Sequence, residues 1–218
     1  MYEERNNQIR QRPREKYPYL TPVNTGIVLL NAVIFLILSV LGDTEDGAFM
    51  YLHGAMYPDA VFDSGEWYRL LTSSFLHFGI SHLVNNMVML FCLGSYLEKA
   101  FGRIKYAVFY AAVCVFSSLA SSWWMLQQDS PAVSGGASGA IFGIIGALLW
   151  IILRNHGRFR DMDLRRFLIM LALSLYYGFT TADVDNAAHI GGLIFGFLLG
   201  ILMAPRGLDV SRRNSYTE

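Results

Sequence analysis

The chain has 218 residues, 54% of them hydrophobic and 16% charged, with a mean hydropathy of +0.36. An average soluble domain carries about a quarter charged residues, so a membrane protein is the first class to test. Seventeen basic and seventeen acidic side chains cancel, no basic stripe marks a nucleic-acid partner, and Cys92 and Cys114 lie inside apolar runs as small hydrophobes without disulfide or metal spacing.

Residues 1–24 set Arg5, Arg10, Arg12, Arg14 and Lys16 against Glu3, Glu4 and Glu15. This tail lacks the apolar region and small-residue cleavage site of a secretory signal. It is expected to be retained as a topology anchor, with a lipid-headgroup contact as the alternative. Six apolar stretches follow, over residues 25–41, 78–97, 104–126, 138–153, 166–181 and 187–204. A helix needs about 20 residues to cross roughly 30 Å of hydrocarbon. Several of the six are near the lower limit, but the charges support the set. If all six cross, sixteen of the seventeen Lys and Arg fall on one side and only Arg69 on the other, among Asp43, Glu45, Asp46, Asp59, Asp63, Glu66, Asp129, Asp183 and Asp185. The positive-inside rule then makes both termini cytoplasmic. The expected fold is an all-α, polytopic six-helix membrane domain over residues 25–204, with cytoplasmic tails at 1–24 and 205–218. The outer connection, residues 42–77, mixes aromatics with acids and glycines. That suits either short interfacial helices or an ordinary loop. The absence of a long internal repeat weighs against a transporter of duplicated halves.

On this topology the unusual polar residues converge on the outer leaflet. The fourth stretch runs inward from Ser138, the sixth from His189, and the second through His82 and Asn86. From Ser138 to Leu153 is about 24 Å of helix, which sinks Ser138 below the outer surface. Gly135, Gly136 and Gly139 allow a close-approach loop. A serine opening a helix also has free N–H groups and the positive dipole end beside it. Alone, Ser138 reads better as a helix cap or packing residue than as a nucleophile. An ionisable imidazole within a bilayer is costly, and His189 at matching depth makes the better pairing of nucleophile and general base. Gly139 with Gly143, and Gly192 with Gly196 and Gly200, provide ridges for close helix approach. His82 and Asn86 share one helical face and suit either an oxyanion site or plain interhelical hydrogen bonding. His53 and His77 read as structural or interfacial, and His156 lies on the cytoplasmic side. No His-Glu-x-x-His zinc signature is present, so no metal or other cofactor is expected.

In order along the chain, Glu66-Trp67-Tyr68-Arg69-Leu70-Leu71-Thr72, Phe75-Leu76-His77, His82-Leu83-Val84-Asn85-Asn86, Gly136-Ala137-Ser138-Gly139 and Ala188-His189-Ile190-Gly191-Gly192 closely resemble the rhomboid family of intramembrane serine proteases, over roughly residues 50 to 203. The resemblance implies that Ser138 is the nucleophile and His189 the general base and acid. It makes His82, Asn86 and the Ser138 N–H the oxyanion stabilisers. It implies a dyad, so neither Asp183 nor Asp185 is assigned as a third member. Phe142 stands where many relatives carry a tyrosine whose ring stacks on the histidine. Asn186 matches a pocket-shaping position, as Gly136 and Gly139 do, and Arg69 matches an outer-loop arginine. The partners implied are the lipid bilayer and transmembrane protein substrates, reached laterally between the second and fifth spans. The location implied is a bacterial cell membrane. A non-catalytic rhomboid-like binder of transmembrane clients is the rival reading. The oligomeric state is left open.

Overall fold

The computed structural model describes residues 19–128, 131–180 and 184–205. The tail to residue 18, Asp129, Asp183 and the tail from residue 206 lie outside the described residues, so the readings of both tails rest on sequence alone.

The chain folds as α1 (Pro22–Leu41), α2 (Gly47–Leu52), α3 (Pro58–Phe62), α4 (Arg69–Thr72), a 3-10 turn at Ser73–Phe75, α5 (Gly79–Phe101), α6 (Arg103–Gln127), α7 (Ser138–Arg154), strands β1 (Arg158–Phe159) and β2 (Met162–Asp163), α8 (Leu164–Thr180) and α9 (Asn186–Met203). Four of these, α1, α5, α6 and α9, are long and apolar enough to cross a membrane. Helices α7 and α8 have 17 residues each, about 25 Å of rise.

Each helix begins where the local chemistry permits. Pro22 fits the first turn of α1, where its missing N–H costs nothing. The next amides, of Val23 and Asn24, donate to the carboxylate of Glu98 at 3.2 and 2.7 Å. Helix α5 therefore supplies a long-range cap to α1. This explains why α5 runs past the apolar stretch ending at residue 97: Glu98 is buried because it has a helix end to neutralise. Within α5, Leu90–Gly94 widens into a π turn. Asn24 Nδ2 donates there to the carbonyls of Leu90 and Phe91 at 3.0 and 3.3 Å, while Tyr106 O–H donates to Asn24 Oδ1 at 2.7 Å.

The core joins Tyr106, Phe109, Tyr110 and Val113 of α6 to Ile144, Ile145, Leu148, Ile151 and Ile152 of α7. The long apolar side chains of α1 and α8, among them Leu29, Leu36, Val40, Leu173, Tyr177 and Phe179, face outward. A soluble protein would not present so large an apolar surface. In lipid, association comes from close packing and hydrogen bonds rather than apolar burial. Helices α7 and α9 accordingly meet backbone to backbone. A Cβ added to Gly192 or Gly196 would strike the carbonyl of Gly139 or Gly143.

Two details differ from or refine the sequence reading. The expected all-α fold carries a short antiparallel hairpin, with Arg158 paired to Asp163 and Phe159 to Met162. The polar run after α7 cannot continue as an apolar helix. It turns through His156 and Arg160, both at positive φ, and buries Phe159. The connection at residues 42–77, left open between helices and loop, folds into α2, α3 and α4.

Candidate active site

The loop entering α7 is fastened on both sides. Ser134 pairs with Met56 through two backbone hydrogen bonds, of 2.9 and 2.8 Å, and Gly136 N–H donates to the Ser73 carbonyl at 2.9 Å. Ala137 N–H donates to His77 Nε2 at 3.3 Å. Gly136 has φ +124°, and a Cβ there would lie 2.8 Å from the His82 ring. Only glycine satisfies both the conformation and the space. The same point is 3.9 Å from Asn86 Nδ2, so the imidazole of His82 and the amide of Asn86 flank the loop leading to Ser138. Asn86 Nδ2 also donates to the His82 carbonyl at 3.0 Å. Ser138 opens α7, where the first N–H groups have no intrahelical acceptor.

His189 lies in the first turn of α9 and is 8% exposed. Its ring stacks on Phe142 with centroids 4.3 Å apart and planes 16° from parallel. Phe142 is four residues after Ser138 and hence on the same face of α7. Directly alongside, the Cβ position of Gly139 is 3.6 Å from Ala188 Cβ. The structure thus brings Ser138 and His189 to neighbouring first turns of two tightly packed helices. Among the described residues no hydrogen bond joins their side chains. Among the described residues His189 Nδ1 is buried without a partner, as is Asn186 Oδ1. Asn186 Nδ2 donates to the Gly178 carbonyl at 3.0 Å, and a Cβ on Gly178 would sit 2.7 Å from Asn186 Oδ1 and 3.5 Å from His189 Nδ1. Asn186 therefore ties the end of α8 over the imidazole. Among the described residues no group of three His, Cys, Asp or Glu is arranged to hold a metal ion.

The family model of the Rhomboid domain matches residues 64–206. The chain belongs to the rhomboid family. It is 35% identical over 170 residues to Rhomboid protease GluP of Bacillus subtilis, covering 78% of this chain and 32% of that protein. It is 36% identical over 146 residues to RHOMBOID-like protein 5 of Arabidopsis thaliana, covering 66% and 46%. Over 191 residues it is 29% identical to YdcA of Bacillus subtilis, covering 86% and 91%. The chain thus spans a third to a half of the length of the first two relatives. With its family and its several apolar helices, this rhomboid is an integral, multi-pass membrane protein.

The other sequence candidates fall as follows. In this rhomboid, His77 is 1% exposed and packs edge-on against His82 at 5.1 Å. Of the two readings, structural or interfacial, it takes the structural one, accepting the Ala137 N–H of the loop that leads to Ser138. The signal for it was a histidine immediately before an amphipathic helix bearing two further polar residues. His53 turns back on the Phe49 carbonyl at 2.7 Å, and His156 lies in the turn between α7 and β1, at positive φ. Arg69 is 5% exposed. It donates to the carbonyls of Tyr51 and Ala55 and to Glu66, and covers the Tyr51 ring at 4.4 Å, knitting α2 to α4. Asp185 makes no hydrogen bond to the His189 ring and caps α9 through Ala188 N–H at 2.9 Å.

Proposed function

We propose that this rhomboid is an intramembrane serine endopeptidase that cleaves transmembrane segments of membrane proteins near the outer leaflet. Ser138 attacks a peptide carbonyl, His189 takes the hydroxyl proton and passes it to the leaving amine, and water resolves the acyl-enzyme. His82, Asn86 and the Ser138 N–H face the developing oxyanion. Phe142 and Asn186 hold the imidazole, and the missing side chains of Gly136 and Gly139 shape the pocket by letting His82 and Ser117 close on the segment that carries Ser138. The observation that carries this reading is the stacking of His189 on Phe142, one turn from Ser138, with His82 and Asn86 across the Gly136 loop. Hydrogen bonds between nucleophile and base are often long before substrate binds, so an imidazole stacked on Phe142 and not yet bonded to Ser138 suits a resting enzyme.

Six spans with both termini cytoplasmic complete the proposal, with residues 25–204 as the membrane domain between two tails. The ends of α5 and α7 and the starts of α6 and α8 carry Lys99, Arg103, Lys105, Arg154, Arg165 and Arg166. The positive-inside rule puts that end in the cytoplasm of a bacterial cell and Ser138 at the opposite leaflet. A helical substrate must unwind to expose a carbonyl, so segments weakened by Gly or Pro are favoured. The test is cleavage of a labelled single-span substrate in liposomes by wild type, Ser138→Ala and His189→Ala, with fluorophosphonate labelling as a parallel readout. Loss of both activities in both variants supports the assignment. Undiminished cleavage by either refutes it, and an inert wild type that still retains the substrate favours the non-catalytic binder.

A further inference from the structure

Asp185 stands between the loop of Ser138 and the helix of His189 and hydrogen-bonds to neither side chain. Its Oδ1 accepts the N–H of Ala188 at 2.9 Å, and its carbonyl accepts the N–H of His189 at 3.2 Å. Its Oδ2 accepts two hydroxyls, Ser121 of α6 at 2.5 Å and Ser134 at 2.6 Å. Ser134 lies four residues before Ser138 and is paired through its own backbone with Met56. One carboxylate is thus bonded to the strand-like segment that delivers the serine, to the first turn that delivers the histidine, and to the helix packed beneath both.

We propose that Asp185 is the positioning residue of the site: its carboxylate sets the register between the Ser134–Ser138 segment and the start of α9, and so the approach of Ser138 to His189. This rests on the hydrolase reading of those two residues. The contacts suit the task. Hydroxyl bonds to a carboxylate are shorter and roughly twice as strong as neutral ones, and the N-terminus of α9 favours a negative charge at its cap. The two hydroxyls come from segments 64 and 51 residues away, so no local geometry replaces the link. Asparagine at this position keeps an oxygen for Ala188 and an amide for the hydroxyls. Alanine keeps none of the three bonds.

The experiment measures fluorophosphonate labelling and substrate cleavage by the full chain in liposomes, for wild type, Asp185→Ala, Asp185→Asn, Ser134→Ala and the Ser134→Ala/Asp185→Ala double variant. A displacement of about 1 Å between reacting groups costs on the order of 10²-fold. Asp185→Ala is therefore expected to lower the labelling rate constant and kcat by that factor, with KM nearly unchanged, and Asp185→Asn to recover most of the loss. A merely structural role would lower the amplitude of labelling, the folded fraction, and leave its rate constant alone. Because Ser134 acts through Asp185, the double variant is expected to be no slower than Asp185→Ala. An Asp185→Ala labelling rate equal to that of an active wild type overturns the inference and leaves the hydrolase reading intact. Multiplicative losses in the double variant overturn the Ser134 route. A wild type that neither labels nor cleaves overturns the hydrolase reading and this inference with it.

Discussion

Substituting Gly192 by alanine tests whether backbone contact between α7 and α9 sets the geometry of the site. A Cβ at Gly192 would lie 3.0 Å from the Gly139 carbonyl carbon and 3.4 Å from its Cα, and closer still to its oxygen. Carbon atoms pack best at about 3.5–4.0 Å. No rotamer relieves a clash with backbone, so the helices must part by about 1 Å at the turn that follows Ser138 and His189. Overpacking of this kind costs about 1–3 kcal/mol, and a 1 Å misplacement of reacting groups costs on the order of 10²-fold in rate. Gly26→Ala is the matched control. Nothing lies within 4 Å of its Cβ position, so it is expected to leave activity alone and to stabilise α1 by about 0.4–1 kcal/mol. The assay is liposome cleavage with fluorophosphonate labelling, beside unfolding in a denaturing detergent series. Gly192→Ala matching wild type in both rate and unfolding midpoint would refute the reasoning.

Phe142→Tyr keeps the ring that stacks on His189 and is expected to retain near wild-type cleavage. Phe142→Ala forfeits a stack worth about 0.5–1.5 kcal/mol, roughly a 2–10-fold loss of positioned imidazole, read as a fall in kcat. Arg69→Lys replaces a guanidinium that donates to two carbonyls and Glu66 by a single ammonium. Each hydrogen bond to a charged group is worth about 1.5–3 kcal/mol, so the unfolding midpoint should fall clearly, with α2 and α4 exchanging amide hydrogen faster. Glu66, outside the membrane spans, is held below the ordinary carboxylate range first by the Tyr68 hydroxyl and then by Arg69. A depressed folded pKa contributes stability above the unfolded value and loses it as pH falls through the folded one. Unfolding midpoints taken from pH 7 down to pH 3 should therefore drop less steeply for Glu66→Gln than for wild type.

Much of the helical framework was legible because lipid demands it. Every backbone group in hydrocarbon must be satisfied within a helix, so apolar runs and helices coincide to within four residues, from Pro22–Leu41 to Asn186–Met203. What could not be read depends on long-range pairing. Glu98 marks the end of an apolar run by composition, yet it extends α5 because α1, more than seventy residues earlier, brings two amides to it. The π turn at Leu90–Gly94 is matched by Asn24 in the same way. At the site, Ser138 and His189 stand out as polar groups at helix mouths, whereas the place of Phe142 came from resemblance and not from spacing. His77 and Asp185 read as bland for a physical reason: their partners, the Ala137 N–H and the hydroxyls of Ser121 and Ser134, are supplied by distant segments.

Helix α6 explains how the segments of the site are held together at one end of the bundle. Its half farther from the site, Tyr106, Phe109, Tyr110 and Val113, is filled with large side chains that pack against α7. Its half near the site is a face of buried serines. A hydroxyl away from water must find a partner, and these find them on different elements. Ser118 Oγ meets Ser73 Oγ at 3.3 Å, Ser121 donates to Asp185, and Ser122 donates to Met56 Sδ at 3.0 Å. Ser117, which bonds the Cys114 carbonyl of its own helix, fills the space beside Gly139 instead. Met56 and Ser73 in turn hold the backbone of Ser134 and Gly136. One helix thus serves as a template on which three otherwise separate segments are registered, and small hydroxylated residues let them approach closely enough to meet. Larger apolar residues there would pack the helix equally well but would leave Asp185 short of a donor and the loop before Ser138 without a support.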